Sequence, residues 1–167
     1  DLTMCTHFGE VLAKVLKDRK ALIVASSDLS HYPEYEDAVK VDRQTLEAIV
    51  KLDPREFASK VEALTGARVT NLDTAACGEA PILAAMAAAK LLGATRGVVV
   101  SYANSGDAAV GDKSRVVGYG AVVLTTGSGE SDVKNLHRPP PPPTVTPLKP
   151  PEKKQLLEFA RETIHQL

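Results

Sequence analysis

The fold of this chain is decided by the stretch Ala21-Leu22-Ile23-Val24-Ala25-Ser26-Ser27-Asp28-Leu29-Ser30-His31-Tyr32. Residues 21–25 are apolar without polar alternation, which is typical of a β-strand buried on both faces. Ser26, Ser27 and Asp28 end that run. The stretch therefore predicts a buried strand that ends in a polar loop at the edge of a sheet.

Helical patterns surround this predicted strand. Apolar residues recur at helical spacing over residues 7–18, 36–52, 53–64 and 78–92. Asp53 suits an N-cap, Pro54 suits a first helical position, and Gly93 suits a helix end. Two further strands are predicted over residues 97–102 and 116–125. Strands separated by helices indicate an α/β layer architecture with a largely parallel sheet, in which the last two strands are candidate antiparallel neighbours.

The chain divides into three predicted parts. Residues 1–126 form the domain, and residues 127–150 form a linker that contains the five prolines Pro139 to Pro143. Such a run favours a polyproline II spacer, and a ligand for a proline-recognition domain is the alternative. Residues 151–167 show the apolar stripe of a helix. Because Asp1 is not Met and Leu167 lies within a helical pattern, we interpret the sequence as a fragment.

Composition excludes several classes of partner. Twenty basic and twenty-one acidic side chains give a formal net charge of -1. This balance provides no electrostatic footprint for nucleic acid or an anionic membrane. The sequence also lacks the roughly 20 consecutive apolar residues of a membrane span. Two widely separated cysteines without a CxxC pair favour a reducing, cytoplasmic compartment.

The first candidate site is the loop that carries Asp28 and His31. In open α/β sheets, ligands bind beyond the carboxyl ends of the strands. A carboxylate near an imidazole fixes its tautomer and raises its basicity, as a proton-transfer histidine or a metal ligand requires. The alternative is an Asp-Ser turn that caps the next helix and leaves an exposed histidine.

The second candidate is Cys77, which stands directly before the alanine-rich helix. A helix N-terminus stabilises negative charge and so favours the thiolate, which is the form that attacks carbon or binds metal. The alternative is a small buried hydrophobic side chain. Cys5 is interpreted as structural.

The third candidate is the polar loop of residues 102–107, followed by Asp112. It is expected to place Asp107 at the same sheet edge as His31. Turn chemistry explains the loop equally well, because Asn, Gly and Asp are the residues that turns prefer.

Three motifs, in this order, resemble the Memo family, which in prokaryotes is AmmeMemoRadiSam system protein B. They are residues 21–32, Cys77-Gly78-Glu79-Ala80-Pro81-Ile82, and Tyr102-Ala103-Asn104-Ser105-Gly106-Asp107 with Val117-Gly118-Tyr119-Gly120-Ala121. The resemblance covers residues 1 to about 126. Residues 148–167 look like the opening helix of an AMME-type domain.

The resemblance implies a LigB-like fold, that of class III extradiol dioxygenases, in which a layered sheet is flanked by helices. Here it would be incomplete at the N-terminus. Such enzymes hold non-haem iron with two histidines and a carboxylate. By motif, His31 matches an acid/base histidine, Asp28 is its neighbour, and Cys77 stands where the carboxylate ligand would be. Tyr32, Asn104 and Asp107 are the expected substrate-binding residues.

The resemblance also places the two metal histidines upstream of this chain, so the fragment alone is expected to lack a complete ligand set. A thiolate in place of a carboxylate shifts preference toward softer ions such as Cu(I) or Zn, although iron remains compatible. The first functional hypothesis is therefore an iron or copper site that serves redox chemistry or metal handling.

Two other classes of function compete with a metal site. One is a non-catalytic protein- or peptide-binding module of the AmmeMemoRadiSam system, which would work beside radical-SAM and AMME-type partners. The other is a hydrolase with a Cys77–His31 dyad. An exposed sheet edge would also favour oligomers.

Overall fold

The computed structural model describes residues 1–127 and the isolated positions 149, 151 and 154. Within that part of the chain there are four α-helices, namely α1 (Leu2–Leu16), α2 (Tyr35–Val50), α3 (Pro54–Gly66) and α4 (Glu79–Leu91). Two strands follow, β1 (Arg96–Asn104) and β2 (Gly118–Thr125), with the 3₁₀ turn Ser105–Asp107 between them. The result is a small α/β fold. Apart from Gly127 and the isolated positions, the predicted linker and AMME-type helix lie outside the described residues.

All four predicted helices are present, and their capping residues explain their bounds. The carboxylate of Asp53 accepts hydrogen bonds from the backbone N–H groups of Arg55 and Glu56, and Pro54 opens α3. Helix α1 begins at Leu2, earlier than predicted, because the side chain of Asp1 accepts a hydrogen bond from the Thr3 N–H. Local capping chemistry therefore fixes where these helices start.

The two strands pair in antiparallel register, from Arg96 opposite Thr125 to Asn104 opposite Gly118. An irregularity between Val99 and Ser101 interrupts the ladder. The predicted antiparallel neighbours are thus confirmed, whereas the largely parallel sheet is wrong for the described residues, whose one sheet holds this pair alone. The physical reason is the link between the strands, which contains no α-helix. Parallel neighbours usually need a helical crossover.

The predicted buried strand at residues 21–25 is also wrong. The segment forms no strand, and Leu22 and Val24 are 87% and 77% exposed. Within the described residues, no backbone hydrogen bond joins residues 20–26 to another segment. The apolar composition predicted that both faces of this segment would be buried, but only Ile23 and Ala25 point toward the interior. A run without polar alternation cannot reveal whether a neighbouring strand is there to pair with it.

The loop that follows this segment does join the sheet. Leu29 N–H donates to the Gly118 carbonyl at 2.8 Å, Gly118 N–H donates to the Ser30 carbonyl at 2.9 Å, and Tyr32 N–H donates to the Val116 carbonyl at 2.7 Å. Residues 29–32 therefore run beside the start of β2 and carry the first candidate site to one end of the sheet.

The core lies among α2, α3 and α4, with Phe57 and Met86 fully buried in it. Helix α1 packs closely on α4, where a Cβ added to Gly9 would come within 2.4 Å of the Ala84 carbonyl oxygen. This packing fixes α4, and with it the residue that precedes its first turn. No helix within the described residues is long and apolar enough to cross a membrane.

Candidate functional site

Asp28, His31 and Cys77 meet at one point of the structure. One ligand atom from each residue lies within 4.8 Å of the other two. Asp28 and His31 come from the loop beside β2, and Cys77 comes from the turn before α4. The predicted convergence of this thiol and this imidazole at one edge is therefore confirmed, while their roles stay predictions.

Gly78 allows the two segments to touch. A Cβ at this position would lie 2.6 Å from the Ser27 Cβ and 2.8 Å from the Ser26 carbonyl oxygen, so any larger residue would push the segments apart. Gly78 N–H donates to the Ser27 Oγ at 2.8 Å, and Cys77 N–H donates to the Asp28 carbonyl at 3.3 Å. The start of α4 is thus hydrogen-bonded to the loop that carries Asp28.

The sulfur of Cys77 accepts a backbone hydrogen bond. Asp28 N–H donates to its Sγ at 3.2 Å, and the Ser27 Oγ lies 3.9 Å away. The Ser27 hydroxyl donates its own hydrogen to the Asp28 carbonyl at 2.5 Å. Cys77 is exposed, so the interpretation as a buried hydrophobic side chain is wrong.

The backbone of His31 is held in place, whereas its side-chain Nε2 has no hydrogen bond among the described residues. Its backbone N–H donates to the Thr74 carbonyl at 3.0 Å, and its own carbonyl accepts from Asp73 N–H at 3.1 Å. Only 20% of the side chain is exposed, and the buried Nε2 makes no hydrogen bond among the described residues. Asp28 Oδ2 lies 3.4 Å from it. A buried nitrogen without a partner is costly, which suits a position reserved for a ligand or a proton.

No hydrogen bond joins Cys77 to His31 among the described residues. A nucleophile and its base need such contact, at about 2.6–3.2 Å or a little more without substrate. The structure therefore gives the proposed hydrolase dyad no support.

Tyr32 lies at the rim of this site in an unusual backbone conformation. Its φ is 73°, in the left-handed region that residues other than glycine rarely adopt. Its ring centroid lies 5.4 Å from that of His31, and the Arg115 guanidinium lies 4.6 Å from the ring centroid on its face. The strained backbone thus presents an aromatic ring beside the imidazole, with a cation over it.

Asn104 and Asp107 are engaged in turn structure. Asp107 Oδ2 accepts from Asn104 N–H at 2.8 Å, and its Oδ1 accepts from the Tyr35 hydroxyl at 2.6 Å. Burial, followed by this hydrogen bond, raises the pKa of Tyr35 to about 12. The turn borders the site, because Ser105 N–H donates to the carbonyl of Val117, the residue that bridges to His31. The substrate-binding role of Asn104 and Asp107 stays a prediction.

Sequence reasoning missed Asp42, which is fully buried on α2. Its Oδ1 accepts from Ser30 N–H at 2.8 Å and its Oδ2 accepts from the Tyr102 hydroxyl at 2.7 Å. Burial raises the pKa of Asp42 to about 6, although both hydrogen bonds act in the opposite direction. The available signal was a carboxylate on the apolar face of a helix, next to Val41 and one turn before Leu46.

Comparison with known proteins matches this chain to one family. The profile described as "Memo-like protein" matches residues 1–123. A MEMO1 family protein of Aquifex aeolicus (strain VF5) is 42% identical over 112 residues, which cover 67% of this chain and 39% of that protein. A MEMO1 family protein of Nitrosopumilus maritimus (strain SCM1) is 41% identical over 121 residues, covering 72% of this chain and 41% of that protein. The chain thus spans about two fifths of the length of these curated relatives.

Proposed function

The chain belongs to the Memo-like protein family, and from that premise we propose that it contributes to a non-haem iron or copper site for redox chemistry or metal handling. The observation that carries this proposal is the meeting of Asp28, His31 and Cys77 within 4.8 Å. One thiolate, one imidazole and one carboxylate are donors that suit transition metals.

The residues present fit such a metal. Cys77 would be the ligand, because its thiol is exposed and its Sγ lies within 4.8 Å of donor atoms of both Asp28 and His31. The buried Nε2 of His31 has no hydrogen bond to lose within the described residues, and its neighbour is the Asp28 carboxylate at 3.4 Å. A bound iron or copper ion would supply electron transfer or polarisation of a coordinated ligand.

The side chains of His31 and Asp28 would take part in this chemistry. The carboxylate of Asp28 lies 3.4 Å from His31 Nε2 and would orient the imidazole. His31 would then be the acid/base residue beside Cys77. Tyr32 and Arg115 at the rim would contact whatever is bound there.

Our proposal also includes three more specific assignments that follow from the family resemblance. They are the LigB-like layered sheet, the identity of AmmeMemoRadiSam system protein B, and work beside radical-SAM and AMME-type partners. The chain spans about two fifths of its curated relatives. We therefore place the remaining metal ligands in the part of the full-length protein outside this chain.

Metal analysis of two cysteine variants tests the proposed ligand. The full-length protein, which contains the remaining proposed ligands, is loaded with Fe(II) or Cu(I) without oxygen and desalted, and its metal content per chain is measured for wild type, Cys77→Ser and Cys5→Ser. Cys5 is the matched control, because it is the other free cysteine and it packs against the core. We expect Cys77→Ser to lose the metal and Cys5→Ser to keep it. Equal metal content in all three proteins would remove Cys77 as a ligand.

A second candidate function, the peptide-binding module, is favoured by an apolar groove of about 340 Å³ between residues 22–25, α4 and β2. Gly118 directs both its N–H and its carbonyl away from β1. Because the direction of backbone hydrogen bonding alternates along a strand, the N–H and C=O groups of Gly120 and Val122 also point away from β1, toward the groove. The groove thus suits an extended apolar peptide that pairs with β2.

A labelled peptide of about eight alternating Val and Thr residues, a typical strand length, tests this candidate. Binding that persists in His31→Ala, together with protection of the Gly120 and Val122 amides from exchange, would favour the module. Failure to bind wild-type protein would dismiss it.

A further inference from the structure

We propose that Asp42 is a positioning residue that holds Asp28 and His31 in the geometry of the candidate metal site. This inference rests on the proposed function, because it assigns Asp42 a role in the same site. Among the described residues, the hydrogen bonds of the Asp42 carboxylate come from Ser30 and Tyr102 and not from the three candidate donors. It acts through Ser30, which lies between Asp28 and His31 in the chain.

The geometry ties three elements together at one carboxylate. Asp42 projects from α2, its Oδ1 binds Ser30 N–H at 2.8 Å, and its Oδ2 binds the Tyr102 hydroxyl of β1 at 2.7 Å. The Ser30 carbonyl accepts from Gly118 N–H of β2 at 2.9 Å. The backbone between Asp28 and His31 is thereby fixed from both sides.

The residues packed around the Asp42 carboxylate leave room for it. A Cβ added to Gly118 would lie 2.0 Å from Asp42 Oδ2, so only glycine leaves room at that position. A carboxylate that is 0% exposed and has no basic hydrogen-bond partner in the described part of the chain costs free energy to bury. An apolar residue would avoid that cost, but it could not bind the Ser30 N–H. The buried carboxylate is therefore kept, despite this cost, because it holds the loop that contains Ser30.

Cobalt binding by the full-length protein, which contains the remaining proposed ligands, provides the test, with Co(II) alone as the probe. Wild type is compared with Asp42→Ala, Asp42→Asn, Tyr102→Phe and the control Tyr35→Phe. Tyr35 is a matched control, because its hydroxyl also donates to a carboxylate, that of Asp107, away from Ser30. The readouts are the Co(II) dissociation constant, the thiolate-to-cobalt absorption band, and amide hydrogen exchange at Ser30 in the metal-free protein.

We expect Asp42→Ala to weaken Co(II) binding about tenfold, shift the thiolate band, and speed exchange at Ser30. Asp42→Asn should match wild type in all three readouts, because its amide oxygen can accept from Ser30 N–H while its amino group donates to Tyr102. Tyr35→Phe should change none of the three readouts. If Asp42→Ala does not fold, Tyr102→Phe replaces it and should change the same readouts in the same direction.

Unchanged Co(II) affinity, band and Ser30 exchange in Asp42→Ala and Tyr102→Phe would overturn the positioning role. A wild-type protein that binds Co(II) without a thiolate band, or not at all, would instead contradict the proposed function. Ser30 exchange needs no metal and still decides in that case whether Asp42 holds the loop.

Discussion

Asp42 illustrates how one buried side chain links stability to the arrangement of a site. Its carboxyl is fully buried, and its contacts are neutral groups, the Ser30 N–H and the Tyr102 hydroxyl. Neutral donors relieve only part of the cost of burying a charge. The charged form is therefore held in the folded protein at the expense of stability.

The resulting pH dependence has a definite sign. Burial raises the pKa of Asp42 from 3.8 to about 6 in the folded protein. The folded state thus binds this proton more tightly than the unfolded state does. Protonation of Asp42 therefore stabilises the folded state below about pH 4, and this stabilisation is lost as the pH rises through 6. Relative to Asp42→Asn, the free energy of unfolding of wild type should fall by up to ~3 kcal/mol between pH 4 and pH 7.

Urea unfolding of both proteins across this pH range measures the difference directly. Other titrating groups contribute nearly equally to both proteins and cancel. Parallel curves for wild type and Asp42→Asn would show that the Asp42 pKa is not raised in the folded state.

The predictability of the site differs from residue to residue. Asp28, His31 and Cys77 could be singled out because each stands at the boundary of a local pattern. Asp42 could not, because its partner Tyr102 lies on another element and Ser30 offers only backbone. Long-range hydrogen bonds of this kind leave no periodic signal in a sequence.

At the scale of elements, helices were predictable because their determinants are local. The cap at Asp53 and the apolar stripes of α2 and α3 lie within a few residues of the helices they define, whereas the cap at Asp1 was missed. The segment at residues 21–25 was not predictable in the same way. Whether it forms a strand depends on a neighbour, and composition carries no information about that neighbour.

The contact between α1 and α4 gives a prediction at this scale. A Cβ at Gly9 would lie 2.4 Å from the Ala84 carbonyl oxygen and 2.8 Å from the Ala87 Cβ. Replacing a helical glycine by alanine ordinarily gains about 1 kcal/mol. Because backbone cannot move aside easily, we expect Gly9→Ala instead to destabilise the protein by roughly 1–3 kcal/mol.

Gly66→Ala is the control, because an added Cβ there meets nothing within 4 Å. It should leave the midpoint of urea unfolding unchanged or raise it slightly. If Gly9→Ala were as stable as Gly66→Ala, the close packing of α1 on α4 would be contradicted.

At the scale of the whole molecule, the distribution of apolar surface is uneven. Leu22 and Val24 are 87% and 77% exposed beside the apolar groove, and Val123 of β2 is 51% exposed nearby. The groove-facing edge of β2 is paired at Gly118 alone among the described residues. Exposed apolar patches next to unpaired strand edges favour association between chains.

We therefore expect the chain to self-associate through this surface, with a sedimentation coefficient that rises with protein concentration. The double variant Leu22→Lys, Val24→Lys should sediment as a monomer at concentrations where wild type does not, because charges at an edge oppose pairing. Val110→Lys is the matched control, since Val110 is 97% exposed and does not line the groove. It introduces one lysine, half of the charge added by the double variant, elsewhere on the surface and should associate like wild type. Association that persists in the double variant would place the contact on another surface, such as the exposed Met4 and Phe8 of α1.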